Sequence, residues 1–252
     1  MIAALAECRH IDDRRMDGTA QPFPLESCMQ LSALRPHYLL NVNPAEVILA
    51  NDRDDQCTPS WVLPALLEKP FVVVRRAAMT GNRIPIGVRG QERSQRWAAW
   101  CPPNSIREII TPADLLQRCE TTKDSPASPV CRGLRSLAVY WQWLSHRWGP
   151  GGSVGFELAT GKRSTTPWSD LDIVVYANEH LTRNDARRLL VCSTELEVAV
   201  DIRVETPVCG FSLAEYARSS GKSILLRTPA GPILGDDPWN ADLRSMSAPT
   251  ET

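Results

Sequence analysis

Two strand-like segments in the second half of the sequence most constrain the fold. SDLDIVVYA (169–177) and VAVDIRVE (198–205) are apolar runs of strand length. LTRNDARRLLVCSTEL (181–196) lies between them and has the apolar spacing of a helix, with Thr182 as a plausible N-cap. A strand, a helix and a second strand in this order predict that one sheet contains both apolar runs.

The residues before these strands extend the pattern. GLRSLAVYWQWLSHRWG (133–149) has apolar side chains at helical spacing as far as Trp148, and Gly149 and Pro150 then end the helix. GSVGFELAT (152–160) predicts a further strand. Helix, strand, strand, helix and strand together predict an α+β domain with a mixed sheet.

Both apolar segments contain aspartates. Successive side chains of a strand alternate between its faces, so Asp170 and Asp172 project to the same side. Two carboxylates in one small space repel each other unless a cation lies between them, and a pair of oxygen ligands suits Mg2+. Asp201 adds a third carboxylate, and such a set can hold two metal ions for in-line phosphoryl displacement. The alternative is a solvated strand entrance without a ligand.

A phosphate-binding turn is predicted before the aspartates. Glycine lets the backbone approach closely, and the amide groups and hydroxyl at Gly152 and Ser153 can donate to phosphate oxygens. The alternative is a simple helix stop and turn. Lys162 and Arg163 can neutralise a phosphate from the following loop, or form a solvated basic turn. A P-loop is excluded, because Arg163 stands where that motif requires Ser or Thr.

An arginine-rich stretch marks the first half of the chain. Between positions 75 and 96 it has six arginines and one acid, Glu92, although the whole chain has a net charge of -1. The arginines are Arg75, Arg76, Arg83, Arg89, Arg93 and Arg96. Arginine binds phosphate in a bidentate manner, so the cluster can hold a phosphate-rich ligand or meet an acidic partner, and the alternative is a solubilising strand edge. Trp97 and Trp100 are predicted to be core residues rather than a stacking platform for a base.

Turn and linker signals divide the chain into two domains. Strand-like LEKPFVVVRRA and IPIGVRG are separated by the turn signal Thr80-Gly81-Asn82, and TTKDSPASPV is rich in Pro, Ser and Thr. We predict five segments: a disordered extension at 1–33, a smaller strand-rich N-terminal domain at 34–120, a linker at 121–130, the α+β domain at 131–245 and a tail at 246–252.

Composition excludes several classes of protein. The near-neutral charge argues against a general nucleic-acid-binding surface. The eight cysteines form no C-x-x-C pair and have no His partner at zinc spacing, which predicts free thiols. The N-terminus lacks the charge order of a secretory signal, and no run of about 18 apolar residues occurs. These features predict a cytoplasmic protein that contacts neither membrane nor nucleic acid.

The glycine-serine turn, the Asp-x-Asp strand and the later single aspartate resemble, in that order, the nucleotidyltransferase superfamily of the DNA polymerase β type. GSVGFELATG followed by SDLDIVV resembles a narrower family, the malonate decarboxylase holo-acyl-carrier-protein synthases, which are phosphoribosyl-dephospho-CoA transferases. VVVRRA, IPIGVRGQERSQRWA, VDIRVETPVCGFSLAEYA and LLRTPAGPILGDDPW also look like blocks of that family, so the resemblance covers roughly 35–243.

The resemblance implies both the fold and the reaction. The fold is a polymerase-β-type nucleotidyltransferase domain preceded by a smaller domain. The reaction moves a phosphoribosyl-dephospho-CoA group from triphosphoribosyl-dephospho-CoA to a serine of the acyl carrier protein of malonate decarboxylase, with pyrophosphate released. Asp170, Asp172 and Asp201 would then be the catalytic residues and the Mg2+ ligands, and Gly152 and Ser153 would hold the leaving phosphates.

The basic residues receive roles in the same scheme. Donor binding is assigned to Lys162, Arg163, Arg75, Arg76 and Arg89. Arg93 and Arg96 are assigned to the carrier, because at i and i+3 they share an exposed face if QERSQRWAAW (91–100) is helical.

Two other functions stay open at this stage. A nucleotidyltransferase with AMP or another nucleotide as donor, acting on a protein, RNA or small molecule, needs the same three aspartates. The IPIGVRG and GDDPW blocks, foreign to general nucleotidyltransferases, argue against it. A non-catalytic binding module of the same fold is disfavoured by the intact aspartates.

Overall fold

The computed structural model describes residues 33–47, 58–92, 94–121, 128–166, 168–240 and 242. The predicted extension at 1–33, except its last residue, and the predicted tail at 246–252 lie outside this part of the chain. The described residues form two sheets with helices packed on them, which confirms the α+β class.

The first sheet is antiparallel and has five strands in the order β4-β3-β2-β1-β5. The strands are β1 (Leu39–Val42), β2 (Phe71–Val74), β3 (Ile84–Arg89), β4 (Arg96–Cys101) and β5 (Ile106–Ile110). The helix α1 (Val62–Glu68) covers one face and buries Val62 and Leu66 in a core with Leu40, Val72 and Ile86. The predicted strand pair and the turn at 80–82 between its strands are confirmed.

The second sheet has six strands in the order β11-β10-β9-β8-β7-β6. The strands are β6 (Arg147–Pro150), β7 (Leu171–Tyr176), β8 (Val200–Glu205), β9 (Gly210–Ser212), β10 (Ile224–Thr228) and β11 (Gly231–Gly235). Only β7 and β8 pair in parallel among these strands, so the sheet is mixed, as predicted. Helices α3 (Pro129–Tyr140), α5 (Arg183–Thr194) and α6 (Leu213–Arg218) contribute Leu134, Leu189 and Tyr216 to its core. The hydroxyl of Thr182 accepts a bond from the Asp185 amide at 3.1 Å, which confirms the predicted N-cap.

The helix α2 (Pro112–Thr121) connects the two sheets. Its Leu115 packs with Leu39 and Ile110 of the first sheet and with Phe156, while Cys119 belongs to the core of the second sheet. Thr121 ends this helix, and residues 122–127 of the predicted linker lie outside the described part of the chain.

Three local predictions were wrong. Residues 152–160 form a helix, α4 (Gly152–Thr160), rather than a strand. Val154, Phe156 and Leu158 alternate as in a strand, but Gly161, in the left-handed conformation with a φ of 67°, caps a helix instead. The helix predicted over 133–149 ends at Tyr140, so Trp148 lies in β6, where its ring meets that of Trp141 edge to face at 4.7 Å.

The third error concerns residues 91–100, which were considered as a helix. Arg96 begins the strand β4, because Trp97, Ala99 and Cys101 alternate into the core of the first sheet. Trp97 and Trp100 are buried, so the prediction that they are core residues is confirmed.

The cysteine and membrane predictions can be checked for the described residues. Cys101, Cys119, Cys131, Cys192 and Cys209 are free thiols, as predicted. None of the described helices is long and apolar enough to cross a membrane.

Glu205 joins the two domains. Its buried carboxylate accepts a bond from Arg76 and lies 3.1 Å from His37 Nε2, and both of these partners come from the first domain. Arg35 adds bonds to the carbonyl oxygens of Glu205 and Thr206, at 3.2 and 2.9 Å. Burial acts to raise the pKa of Glu205, but the bond from His37 and the charge of Arg76 outweigh it, so the pKa lies below its ordinary value of 4.5.

Replacing Glu205 by Gln is expected to lower the free energy of unfolding by about 2–3 kcal/mol, because Arg76 is left as a largely buried charge without its counterion. Chemical denaturation at pH 7 measures this. A lowered pKa stabilises the fold above the unfolded-state value and loses that effect as pH falls, so the difference should shrink below about pH 4.5. The control is Glu197→Gln at the exposed pair with Arg132, with an expected loss below about 1 kcal/mol. Equal losses in the two variants would contradict the role of Glu205.

Candidate functional site

A cavity of about 670 Å³ lies where the two domains meet, and we call it the aspartate cavity. Its walls come from α1, from β3 with its following turn and the first residue of β4, from the start of α4, and from the loop before β7. The lining residues are Ala65, Glu68, Lys69, Arg89, Gly90, Gln91, Glu92, Arg96, Gly152, Ser153, Phe156, Arg163, Ser164, Thr166, Trp168, Ser169, Asp170 and Asp172. The fold therefore brings the predicted Asp-x-Asp pair and the predicted glycine-serine turn to one place.

Asp172 is held directly against the glycine turn. The Gly151 amide donates to the Asp172 carbonyl at 2.9 Å, which ties the turn to β7. Gly152 has a φ of 54°, and a Cβ at this position would overlap the Asp172 carboxylate. This position therefore requires glycine, which tolerates the left-handed conformation and has no side chain to displace the carboxylate.

Asp201 lies beside Asp172 but has a different environment. The two residues are direct partners in the parallel register of β7 and β8, so the predicted proximity of the third aspartate is present in the fold. Arg203 donates to Asp201 Oδ2 through two nitrogens, at 3.1 and 2.8 Å. Asp201 is not among the residues that line the aspartate cavity.

The first turn of α4 supplies donors to the cavity. Amide groups at the start of a helix have no partner within the helix, and they carry the positive end of its dipole. Gly152 and Ser153 occupy this turn and line the cavity. The turn is thus both a helix start and a surface that suits an anion, whereas the alternative taken from the sequence was a helix stop.

Arg89 reaches this turn from the first domain. Its Nη1 donates to the Gly152 carbonyl at 2.6 Å, and its guanidinium lies over the Phe156 ring at 5.3 Å. Arg163 and Arg96 also line the cavity, whereas Lys162 is bonded to the Glu68 carboxylate at 3.2 Å. The cavity is therefore edged by arginines from both domains.

The remaining predicted arginines have separate positions. Arg75 lines a second cavity next to the first. Arg76 bonds to Glu205 at the domain contact, and the structure does not bring it to the aspartate cavity. Arg93 lies outside the described residues.

Two residues of this region were not found from the sequence. Trp168 lines the cavity and is 89% exposed, and its signal was an apolar ring in an otherwise polar loop just before Asp170. Glu157 Oε2 accepts bonds from the Ser164 amide, the Thr165 amide and the Thr165 hydroxyl, each at 2.8 Å. It thereby positions the loop that leads to the aspartates.

The donor set fits a hard divalent ion bound together with a ligand. Across the described ranges, no group of three or more His, Cys, Asp and Glu side chains is arranged to hold a metal ion. Asp170 and Asp172 nevertheless line one cavity and offer only oxygen atoms. Mg2+ is commonly held by one or two carboxylates plus substrate phosphates rather than by an all-protein cage, so the pair suits this mode of binding.

Comparison with known protein families matches both halves of the chain. Residues 35–112 match the phosphoribosyl-dephospho-CoA transferase MdcG N-terminal domain, and residues 115–238 match the MdcG C-terminal domain. A phosphoribosyl-dephospho-CoA transferase of Pseudomonas aeruginosa is 38% identical over 185 residues, which are 72% of this chain and 85% of the relative. A protein of the same name from Klebsiella pneumoniae is 35% identical over 214 residues, which are 84% of this chain and 98% of the relative. No solved structure matches the chain.

Proposed function

The chain belongs to the phosphoribosyl-dephospho-CoA transferase MdcG family, and from this premise we propose the full reaction. The donor is 2′-(5″-triphosphoribosyl)-3′-dephospho-CoA, and the acceptor is a serine of the acyl carrier protein of malonate decarboxylase. The serine oxygen bonds to the α-phosphorus of the triphosphate. The bond from that phosphorus to the oxygen bridging to the β-phosphate breaks, and pyrophosphate leaves. The serine proton passes to a carboxylate.

One observation carries this proposal: the Asp172 carboxylate occupies the space that a Cβ of Gly152 would fill, beside the first turn of α4. A triphosphate held by the amides of that turn has its phosphorus atoms next to the aspartate pair. Catalysis of phosphoryl transfer rests on positioning and charge stabilisation, and this juxtaposition supports both.

Asp170 and Asp172 are the residues proposed to hold Mg2+, which when bound would neutralise charge on the triphosphate. The amides and hydroxyl at Gly152 and Ser153, with Arg163, are assigned to the β- and γ-phosphates. Arg89 positions the Gly152 carbonyl through its 2.6 Å bond and adds positive charge at the same edge.

Asp201 is the proposed third carboxylate. Both bonds from Arg203 go to Oδ2, so Oδ1 is the oxygen that we assign to a metal ion or to the serine proton. Its place opposite Asp172 in the sheet supports this role, since the two carboxylates belong to neighbouring strands.

The mass of the carrier tests the proposal. The purified protein with Mg2+ is incubated with apo acyl carrier protein of malonate decarboxylase and either the triphosphoribosyl donor or ATP. We expect the carrier to gain the mass of phosphoribosyl-dephospho-CoA from the first donor and to be unchanged with ATP. A gain of AMP from ATP, with no gain from the triphosphoribosyl donor, would support the alternative nucleotidyltransferase function.

Ser153→Ala is expected to weaken binding of the triphosphate by about 0.5–3 kcal/mol, because one hydrogen bond to a charged phosphate is lost. Calorimetric titration with inorganic tripolyphosphate measures the change. Ser169→Ala is the control, since Ser169 lines the same cavity but bonds to Thr166 in the loop. Equal affinity of Ser153→Ala and wild type would show that the hydroxyl does not contact the triphosphate.

A further inference from the structure

A second cavity, which we call the interdomain cavity, opens beside the first and has a volume of about 460 Å³. It shares Arg89, Arg96, Gly152 and Phe156 with the aspartate cavity, so the two cavities lie side by side. A ligand with its triphosphate at the glycine turn could extend from one cavity into the other.

The floor of the interdomain cavity is a row of small and aliphatic residues across the first sheet. Leu39 pairs with Val73, Val73 with Gly87, and Gly87 with Ala98, so the row crosses four strands on one face. A Cβ at Gly87 would meet the stem of Arg75 at 3.6 Å, which is ordinary contact. A Cβ at this position would therefore fit without a clash, but a longer side chain would fill the floor next to the Arg75 stem.

The opposite wall comes from α2, from α4 and from the two residues just before α4. Phe156 and Leu115 are nearly completely buried, and Pro150, Gly151 and Gly155 supply backbone. Apolar walls with backbone groups at the edge suit an aliphatic chain that contains amides.

Two arginines stand at the junction of the cavities. Arg89 and Arg96 are direct cross-strand partners in β3 and β4, and both line both cavities. Guanidinium groups bind phosphate oxygens in a bidentate manner, and a diphosphate offers enough oxygen atoms for two of them.

We propose that the interdomain cavity binds the pantetheine arm of the donor, and that Arg89 and Arg96 bind the diphosphate linking that arm to adenosine. This inference rests on the proposed function. In the donor the triphosphoribosyl group is attached to the 2′ position of the adenosine ribose, and the diphosphate with the pantetheine arm is attached to the 5′ position. A site for this donor must therefore hold both branches. The assignment moves Arg96 from the carrier to the donor, and it gives Arg75 a place beside the arm.

The proposal explains how the site would separate its donor from a nucleoside triphosphate. Both ligands carry a triphosphate for the aspartate cavity, but a nucleoside triphosphate has no arm for the interdomain cavity. Selectivity would then come from the first domain rather than from the aspartates.

Filling the cavity tests the first half of the proposal. Gly87→Leu is expected to weaken binding of dephospho-CoA at least about tenfold, because the new side chain occupies the floor, while binding of inorganic tripolyphosphate stays within about twofold. Ala78→Leu, at an exposed loop position of the same domain, is the control and should leave both affinities unchanged. Thermal melting of each variant checks the fold. Gly87→Leu that melts as wild type and binds dephospho-CoA within twofold of wild type would overturn the arm assignment.

Charge removal tests the second half. Arg96→Gln is expected to reduce the preference for 4′-phosphopantetheine over pantetheine at least about tenfold, since a charged hydrogen bond to phosphate is lost. Arg83→Gln, at an exposed arginine of the same domain, should keep the preference. An unchanged preference in Arg96→Gln would overturn the diphosphate assignment.

The carrier-mass assay separates this inference from the proposed function. Transfer by wild type together with unaltered dephospho-CoA affinity in Gly87→Leu would reject only the inference. Absence of transfer by wild type from the triphosphoribosyl donor would reject the proposed function, and with it the inference.

Discussion

Asp170→Asn and Asp172→Asn are each expected to lower the rate of transfer to the carrier at least about 1,000-fold, or about 4 kcal/mol in barrier. Each change removes the charge of a proposed Mg2+ ligand but alters the side-chain volume little. Carrier mass over time gives the rate, and thermal melting shows whether the fold is kept.

Asp236→Asn serves as the matched control for these variants. Asp236 is an exposed aspartate after β11, so the same chemical change there should leave the rate unaltered. Transfer by either site variant at more than about a tenth of the wild-type rate, a loss below about 1.4 kcal/mol, would reject the metal-ligand role.

Gly152→Ala is expected to reduce transfer at least about 100-fold, because the new methyl group takes the space of the Asp172 carboxylate. The side chain of Asp172 must then turn away from the first turn of α4, and the proposed metal ligand no longer faces the triphosphate. Gly152→Val should reduce transfer at least as much.

Gly161→Ala is the control that distinguishes steric overlap with Asp172 from strain of the left-handed backbone. Gly161 caps the other end of α4 with a φ of 67°, and a Cβ there would meet nothing within 4 Å. Alanine at Gly161 should therefore cost only about 1 kcal/mol of stability, through the left-handed conformation, and keep the activity. Equal activities of the two alanine variants would show that the contact of Gly152 with Asp172 is not needed for transfer.

The strands that carry the aspartates could be predicted because their signals are local. An apolar run of strand length and alternation with period two both arise within a few residues, and so does the cap of α5 at Thr182. The same reliance on local pattern misassigned 152–160, where Val154, Phe156 and Leu158 alternate by chance on a helix. Gly161 was the available sign of a helix end there.

The positions of the arginines could not be predicted from local sequence patterns. Six of them in one stretch indicated that the first domain binds anions, but the sequence held no information on which direction each one faces. Arg76 is bonded to Glu205, 129 positions away, and Lys162 to Glu68, 94 positions away. A residue that was predicted to bind the donor can thus form an ion pair with a residue far away in the sequence. No local pattern identifies that partner.

Sequence alone therefore determined the α+β class, and it singled out the three aspartates and the glycine-serine turn as candidate site residues, since each depends on residue type and short spacing. Tertiary structure decided which of them share a cavity. The parallel register of β7 and β8 sets Asp201 beside Asp172, and the missing Cβ of Gly152 lets the Asp172 carboxylate lie on the first turn of α4. It also decided that β3 and β4 place Arg89 opposite Arg96 at the junction of two cavities. The physical reason is that contacts between distant segments follow from sheet register and domain packing, and these are set by burial of the whole core rather than by any local pattern.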